Sequence, residues 1–140
     1  MYVLFGEKVM DNNEMKDIIE SKTDFKVIKD MTKGTKREDM LAFCLSVPVS
    51  TLNEIISEEY DDFNVNEIEE DELFDEYLSL AEEMALDMEE FIPEEGIIDA
   101  KSYKWDQSDS DIKTIVIIAN NEVEEKKLKD VMKKLLTQAE

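Results

Sequence analysis

The spacing of apolar residues changes several times along the chain, and each change marks an element. Residues 2–5, YVLF, read as a short strand. In DNNEMKDIIESK, Met15, Ile18 and Ile19 fall at i, i+3 and i+4, the pattern of one helical face. Asp11 is placed to cap that helix and Glu14 completes a box-like pair. DFKVIKDM (24–31) alternates and reads as a strand, and TKGTKRED, with Gly34 among polar residues, reads as a hairpin connection. MLAFCLSVPV (40–49) is almost wholly apolar, which predicts a central strand ending near Pro48.

STLNEIISEEY then reads as a short helix with Thr51 and Glu54 as a capping box. DDFNVN links it to a long helix over 67–91, which Asn66 can cap, with Glu69 three residues later, and which Pro93 and Gly96 end. IIDAKSYKW (97–105) and DIKTIVIIA (111–119) flank the turn DQSDS and predict an antiparallel hairpin. A last helix begins within NNEVEEKKLKD. Asn121 and Glu124 make a box-like cap, Glu122–Lys126 and Glu125–Lys129 are i, i+4 pairs, and Leu128, Val131, Met132, Leu135 and Leu136 face inward. The order β-α-β-β-α-α-β-β-α predicts one α+β domain over 1–140. We expect a mostly antiparallel sheet of about five strands with helices packed on one face, and an acidic helical segment at about 50–92.

Composition narrows the function classes. Apolar residues make up 42%, too many for a disordered acidic chain despite a net charge of −21. No run approaches the ~18 apolar residues of a membrane span, and MYVLFGEKVMDNN lacks the basic region and cleavage site of a signal peptide. The lone cysteine, Cys44, cannot form an internal disulfide and, inside an apolar run, reads as a buried, inert thiol. A cytoplasmic protein with no membrane association is expected. The chain has no histidine, which removes Ser-His and Cys-His dyads and imidazole metal ligands. It has only three glycines and none of the glycine-rich phosphate or nucleophile motifs. The sequence therefore predicts a non-enzyme without a cofactor.

The charge is segregated. From Glu38 to Asp99 the chain carries 22 of its 37 acidic residues and none of its 16 basic ones, leaving 15 acids against 16 bases in the flanks. A salt-adapted protein would spread its acids, and solubility alone asks for a net charge of only about 2 to 8. On a helical wheel the apolar residues of 67–91 fill an arc of roughly 160°. Glu69, Asp71, Glu72, Asp75, Glu76, Glu82, Glu83, Asp87, Glu89 and Glu90 fill the opposite arc around Leu86. At the α-helical rise this is roughly one carboxylate per 3.3 Å, against one phosphate per ~3.4 Å along one strand of B-form DNA.

Two metal-site patterns fall short. Residues 62–73 approach an EF-hand loop, with Asp62, Asn64 and Asn66 at positions 1, 3 and 5. Glu67 replaces the turn glycine and Leu73 the bidentate glutamate, so no metal site is expected. Asp99–Lys101 and Asp111–Lys113 have the D-x-K spacing of metal-dependent nucleases, on a surface that would repel a polyanion.

In size, charge and scarcity of cysteine, the chain is similar to phage and mobile-element proteins that mimic nucleic acid, including antirestriction and anti-CRISPR inhibitors. The similarity is one of general character, with no motif matched. The acidic face without lysines predicts a partner that is a basic protein, a nucleic-acid-binding enzyme, with no direct contact to nucleic acid. The expected binding residues are Glu69, Glu72, Asp75, Glu76, Glu82, Glu83, Leu86, Asp87 and Glu90 of the helix, and Tyr60, Asp61, Asp62 and Phe63 of the preceding loop. The alternative is an immunity protein or secretion-type chaperone that binds its partner through a sheet edge or an apolar patch. The sequence leaves the oligomeric state open.

Overall fold

A computed structural model describes residues 2–59 and 68–139. The chain runs β1 (Tyr2–Phe5), β2 (Lys8–Asp11), α1 (Asn12–Lys22), β3 (Lys26–Asp30), a 3-10 turn (Thr32–Thr35), β4 (Met40–Pro48) and α2 (Val49–Glu59). It continues as α3 (Glu70–Leu86), a second 3-10 turn (Asp87–Phe91), β5 (Gly96–Asp106), β6 (Asp111–Asn120) and α4 (Glu125–Ala139). The fold is α+β, with every strand pair antiparallel: a two-stranded β1-β2 ribbon and a four-stranded sheet in the order β3-β4-β6-β5.

The sixth strand, β2, is one more than the sequence suggested. Gly6 takes a left-handed φ of 63° and closes a two-residue turn with Glu7, so Lys8 pairs back onto Phe5 and Val9 onto Leu4.

The layers also differ in detail from the expected arrangement. Helices α1, α2 and α3 share one face of the sheet, over Leu41, Phe43, Leu45 and Val47 of β4 and Ile112, Val116 and Ile118 of β6. Helix α4 covers the other face, over Met40, Ala42, Cys44, Ile115, Ile117 and Ala119. Successive strand residues point to opposite faces, so the two central strands, apolar at nearly every position, need cover on both sides.

Helix boundaries depart from the expected caps. Asp11 is the N-cap of α1 but makes no side-chain cap hydrogen bond. Helix α2 starts at Val49, whose N–H donates to the Ser110 carbonyl at 2.9 Å, so Thr51 lies inside the helix rather than capping it. Helix α4 starts at Glu125. Asn120 Oδ1 accepts the Glu122 N–H at 2.9 Å in the preceding turn, which moves Asn121 and Glu122 out of the helix. Helix α3 starts at Glu70, three residues later than expected, and residues 60–67, including Asn66, lie outside the described part.

Candidate functional site

The long acidic helix docks by its small and aromatic residues. Leu73, Tyr77, Ala81 and Ala85 are buried against the sheet, and Met88 of the following 3-10 turn joins them. The alanines let the backbone approach β5 and β6, and each fully buried large side chain contributes about 1.5–3 kcal/mol. The Tyr77 hydroxyl donates to Asn53 Oδ1 of α2 at 2.5 Å, which ties α3 to its neighbour in the layer. Burial holds the Tyr77 phenol above its ordinary pKa, against the opposing pull of that hydrogen bond.

This docking fixes which carboxylates reach solvent. Glu69, Asp71, Glu72, Asp75, Glu76, Glu83, Asp87, Glu89 and Glu90 are all exposed, and Glu82 is half-buried. Leu86 is 40% exposed among them. The expected residues of the helix are thus exposed or, for Glu82, half-buried, whereas Tyr60, Asp61, Asp62 and Phe63 lie outside the described residues. The EF-hand-like stretch is only partly described, and its twelfth position, Leu73, is a buried core residue rather than a ligand.

Neutralisation is sparse. Among the described residues, the one ion pair to this face joins Lys101 on β5 to Glu82 at 4.0 Å, and Lys101 is itself more than half exposed. Lys22 lines a shallow cavity of about 240 Å³ together with Asp87 and Glu90 but forms no ion pair with either. Asp71–Asp75 and Glu72–Glu76 are like-charged i, i+4 pairs, each costing about 0.2–0.5 kcal/mol. Glu70, Asp71 and Glu72 in the first turn are favoured by the helix dipole, while Glu89 and Glu90, beyond the last α-helical turn, are not.

The even spacing expected along the helix is only partly kept. The α-helix ends at Leu86, where the chain tightens to 3-10 geometry through Phe91, with a rise of about 2.0 Å per residue. Pro93 forces extended backbone on Ile92 just ahead of it, so the helix cannot continue. The regular part of the acidic ridge is therefore the 17 residues of α3, about 25 Å long.

At its start, α3 meets the β5-β6 turn. Gln107 Nε2 donates to Glu70 Oε1 at 3.0 Å. The Phe74 and Trp105 rings stack with centroids 6.4 Å apart and planes 23° apart, and Tyr77 meets Trp105 edge-on at 5.1 Å. Pattern reading missed this cluster because Phe74 and Trp105 are 31 positions apart and only the docking angle of α3 brings them together.

The two D-x-K pairs do not converge. Asp99 stands opposite Ile117, six residues from Asp111 on β6, or about 20 Å along the strand. Lys113 Nζ is bound to Asp111 at 3.0 Å and Asp109 at 3.5 Å. Burial lowers the Lys113 pKa, but the hydrogen bonds and charges of those aspartates outweigh it, and the net shift is upward. Asp99 instead pairs with Lys129 of α4 at 3.5 Å.

Cys44 is buried as expected but not isolated. Its Sγ lies 3.3 Å from the Tyr103 hydroxyl, on a cavity of about 250 Å³ that Lys29, Lys104 and Lys113 also line. No helix of the described residues is long and apolar enough to cross a membrane. Compared with known proteins, the chain matches no family model, no curated protein and no solved structure.

Proposed function

We propose that this protein is a non-enzymatic acidic binding protein whose α3 face occupies the basic cleft of a nucleic-acid-binding protein, as the mimic inhibitors of phages and mobile elements do. One observation carries the reading: α3 and its 3-10 extension turn nine carboxylates to solvent, and among the described residues a single long ion pair touches the face at its edge. Leaving them unpaired costs helix stability that two or three lysines would recover. A basic partner supplies those missing cations. Long-range attraction then raises the encounter rate, and the interaction weakens as salt rises. The core of α3 fixes the backbone that carries the carboxylates, so binding has to order their side chains but not the helix itself.

Displacement of nucleic acid tests this. A labelled DNA duplex is bound to a basic DNA-binding protein, and the acidic protein is added. Release of the duplex by the wild type, and not by a variant carrying Glu72→Gln, Asp75→Asn, Glu76→Gln and Glu83→Gln, is the expected result. Equal release by both would move the binding surface elsewhere and favour the alternative, an immunity protein or chaperone acting through a sheet edge or apolar patch. The structure gives that alternative one concrete feature, the exposed outer face of the β1-β2 ribbon formed by Tyr2, Leu4 and Val9.

A further inference from the structure

The proposed acidic surface is uniform in sign, yet one part of it is chemically different. Tyr77, Trp105 and Phe74 form a ladder of three rings that runs outward from the core. Tyr77 is fully buried, Trp105 is half-buried, and Phe74 is 36% exposed at the outer end. A side chain that served only to cover Trp105 could be aliphatic. Here the outermost group is a ring that reaches solvent amid acids.

The acids beside it are set by the helix. Glu70 and Asp71 lie four and three residues before Phe74, so they occupy the adjacent turn on the same side. Glu70 is further held by the Gln107 amide, two residues beyond Trp105 on the chain. That hydrogen bond draws the carboxylate toward the strand that carries the ring beneath Phe74 and leaves its second oxygen available to accept.

An exposed aromatic face with carboxylates at its rim is complementary to a planar cation. A guanidinium stacks flat on a ring while its edge N–H groups bond to carboxylate oxygens. An ammonium is compact, more strongly hydrated and unable to do both with one geometry. A planar group laid on Phe74 extends the one stacked pair the fold builds, Phe74 on Trp105. Charge complementarity selects the occupant, because any apolar side chain placed here would be ringed by unpaired carboxylates.

We infer that Phe74, backed by Trp105 and rimmed by Glu70 and Asp71, is a docking subsite for an arginine side chain of the basic partner. This rests on the proposed binding of a basic protein and adds to it: the rest of the acidic face attracts any cation, while this end selects arginine over lysine and sets where the partner sits along α3.

Trp105 is the sole tryptophan, so its emission reports directly on the subsite. The probes are an oligo-arginine and an oligo-lysine peptide of equal length, titrated at low salt. Oligo-arginine is expected to change the Trp105 emission and to bind roughly two- to fivefold tighter than oligo-lysine, the ratio an exposed cation–π contact supports. Phe74→Leu keeps an apolar cover over Trp105 and is expected to abolish that preference while leaving lysine binding intact. Gln107→Ala, at an exposed turn where folding is not at stake, is expected to reduce the preference in the same direction. Equal binding of the two peptides to the wild type, or a preference that survives in Phe74→Leu, overturns the subsite and leaves the broader reading standing. Binding of neither peptide overturns the broader reading, and the subsite with it.

Discussion

Helices α3 and α4 dock on opposite faces of one sheet and present opposite charges to solvent. Both bury apolar residues at helical spacing: Leu73, Tyr77, Ala81 and Ala85 in α3, and Leu128, Val131, Met132 and Leu135 in α4. Their outward faces diverge. Helix α3 carries acids and no base, whereas α4 carries Lys126, Lys127, Lys129, Lys133 and Lys134 against Glu125 and Asp130. The expected Glu122–Lys126 and Glu125–Lys129 pairs do not form among the described residues. Glu122 lies before the helix, and Lys129 reaches instead across to Asp99 on β5. Docking therefore specifies the inner face of each helix and leaves the outer face free. The charge written there is not a requirement of the fold.

The largest effects test the shared part of the comparison. Leu73→Ala in α3 and Leu135→Ala in α4 each remove a buried side chain and are expected to cost about 2–5 kcal/mol in chemical denaturation. A cost below about 1 kcal/mol for Leu73→Ala would mean that α3 is loosely held and its carboxylates are not fixed in advance.

The next effect separates the two outer faces. Neutralising Glu72, Asp75, Glu76 and Glu83 together is expected to weaken binding of an oligo-lysine peptide at low salt at least tenfold, about 1.4 kcal/mol. Changing Lys126, Lys127 and Lys133 to Gln should not weaken it at all. Calorimetric titration measures both, and a loss of similar size in the α4 variant would make net charge, not the α3 face, the cause.

Smaller still is the tie between α2 and α3. Tyr77→Phe removes the hydroxyl that donates to Asn53 and is expected to cost about 1 kcal/mol, read from the urea midpoint. The smallest effect concerns the acidic face in isolation. Glu76→Lys replaces a repulsive i, i+4 neighbour of Glu72 with an attractive one and is expected to raise stability by about 0.4–1 kcal/mol while weakening binding to a basic partner. A stability loss from that change would show that Glu76 has a structural role.

The chain pattern revealed some parts of this arrangement better than others. The β5-β6 hairpin and the apolar β4 were readable almost to the residue, because long apolar runs bounded by DQSDS and by Pro48 leave little choice. The continuous apolar character of β4 calls for cover on both faces, which the expected one-sided layering missed and which α4 supplies opposite α3. Strand β2 was hidden because KVMD runs directly into the N-terminal residues of α1, and only the Gly6-Glu7 turn marks it. The outward acids of α3 were legible from helical periodicity alone. The contacts of Phe74 with Trp105, Gln107 with Glu70 and Cys44 with Tyr103 were not, since each depends on the register and tilt of elements far apart in sequence.

The central claim is that the exposed carboxylates of α3 exist to be met by a partner's cations. Its most direct test is the salt dependence of complex formation with a basic nucleic-acid-binding protein, measured for the wild type and for the variant neutralised at Glu72, Asp75, Glu76 and Glu83. The account predicts that wild-type affinity falls steeply with added salt, and that the variant, folded to the same midpoint or better, loses both most of the affinity and most of the salt dependence. Retention by the variant of the wild-type affinity and salt slope would contradict it.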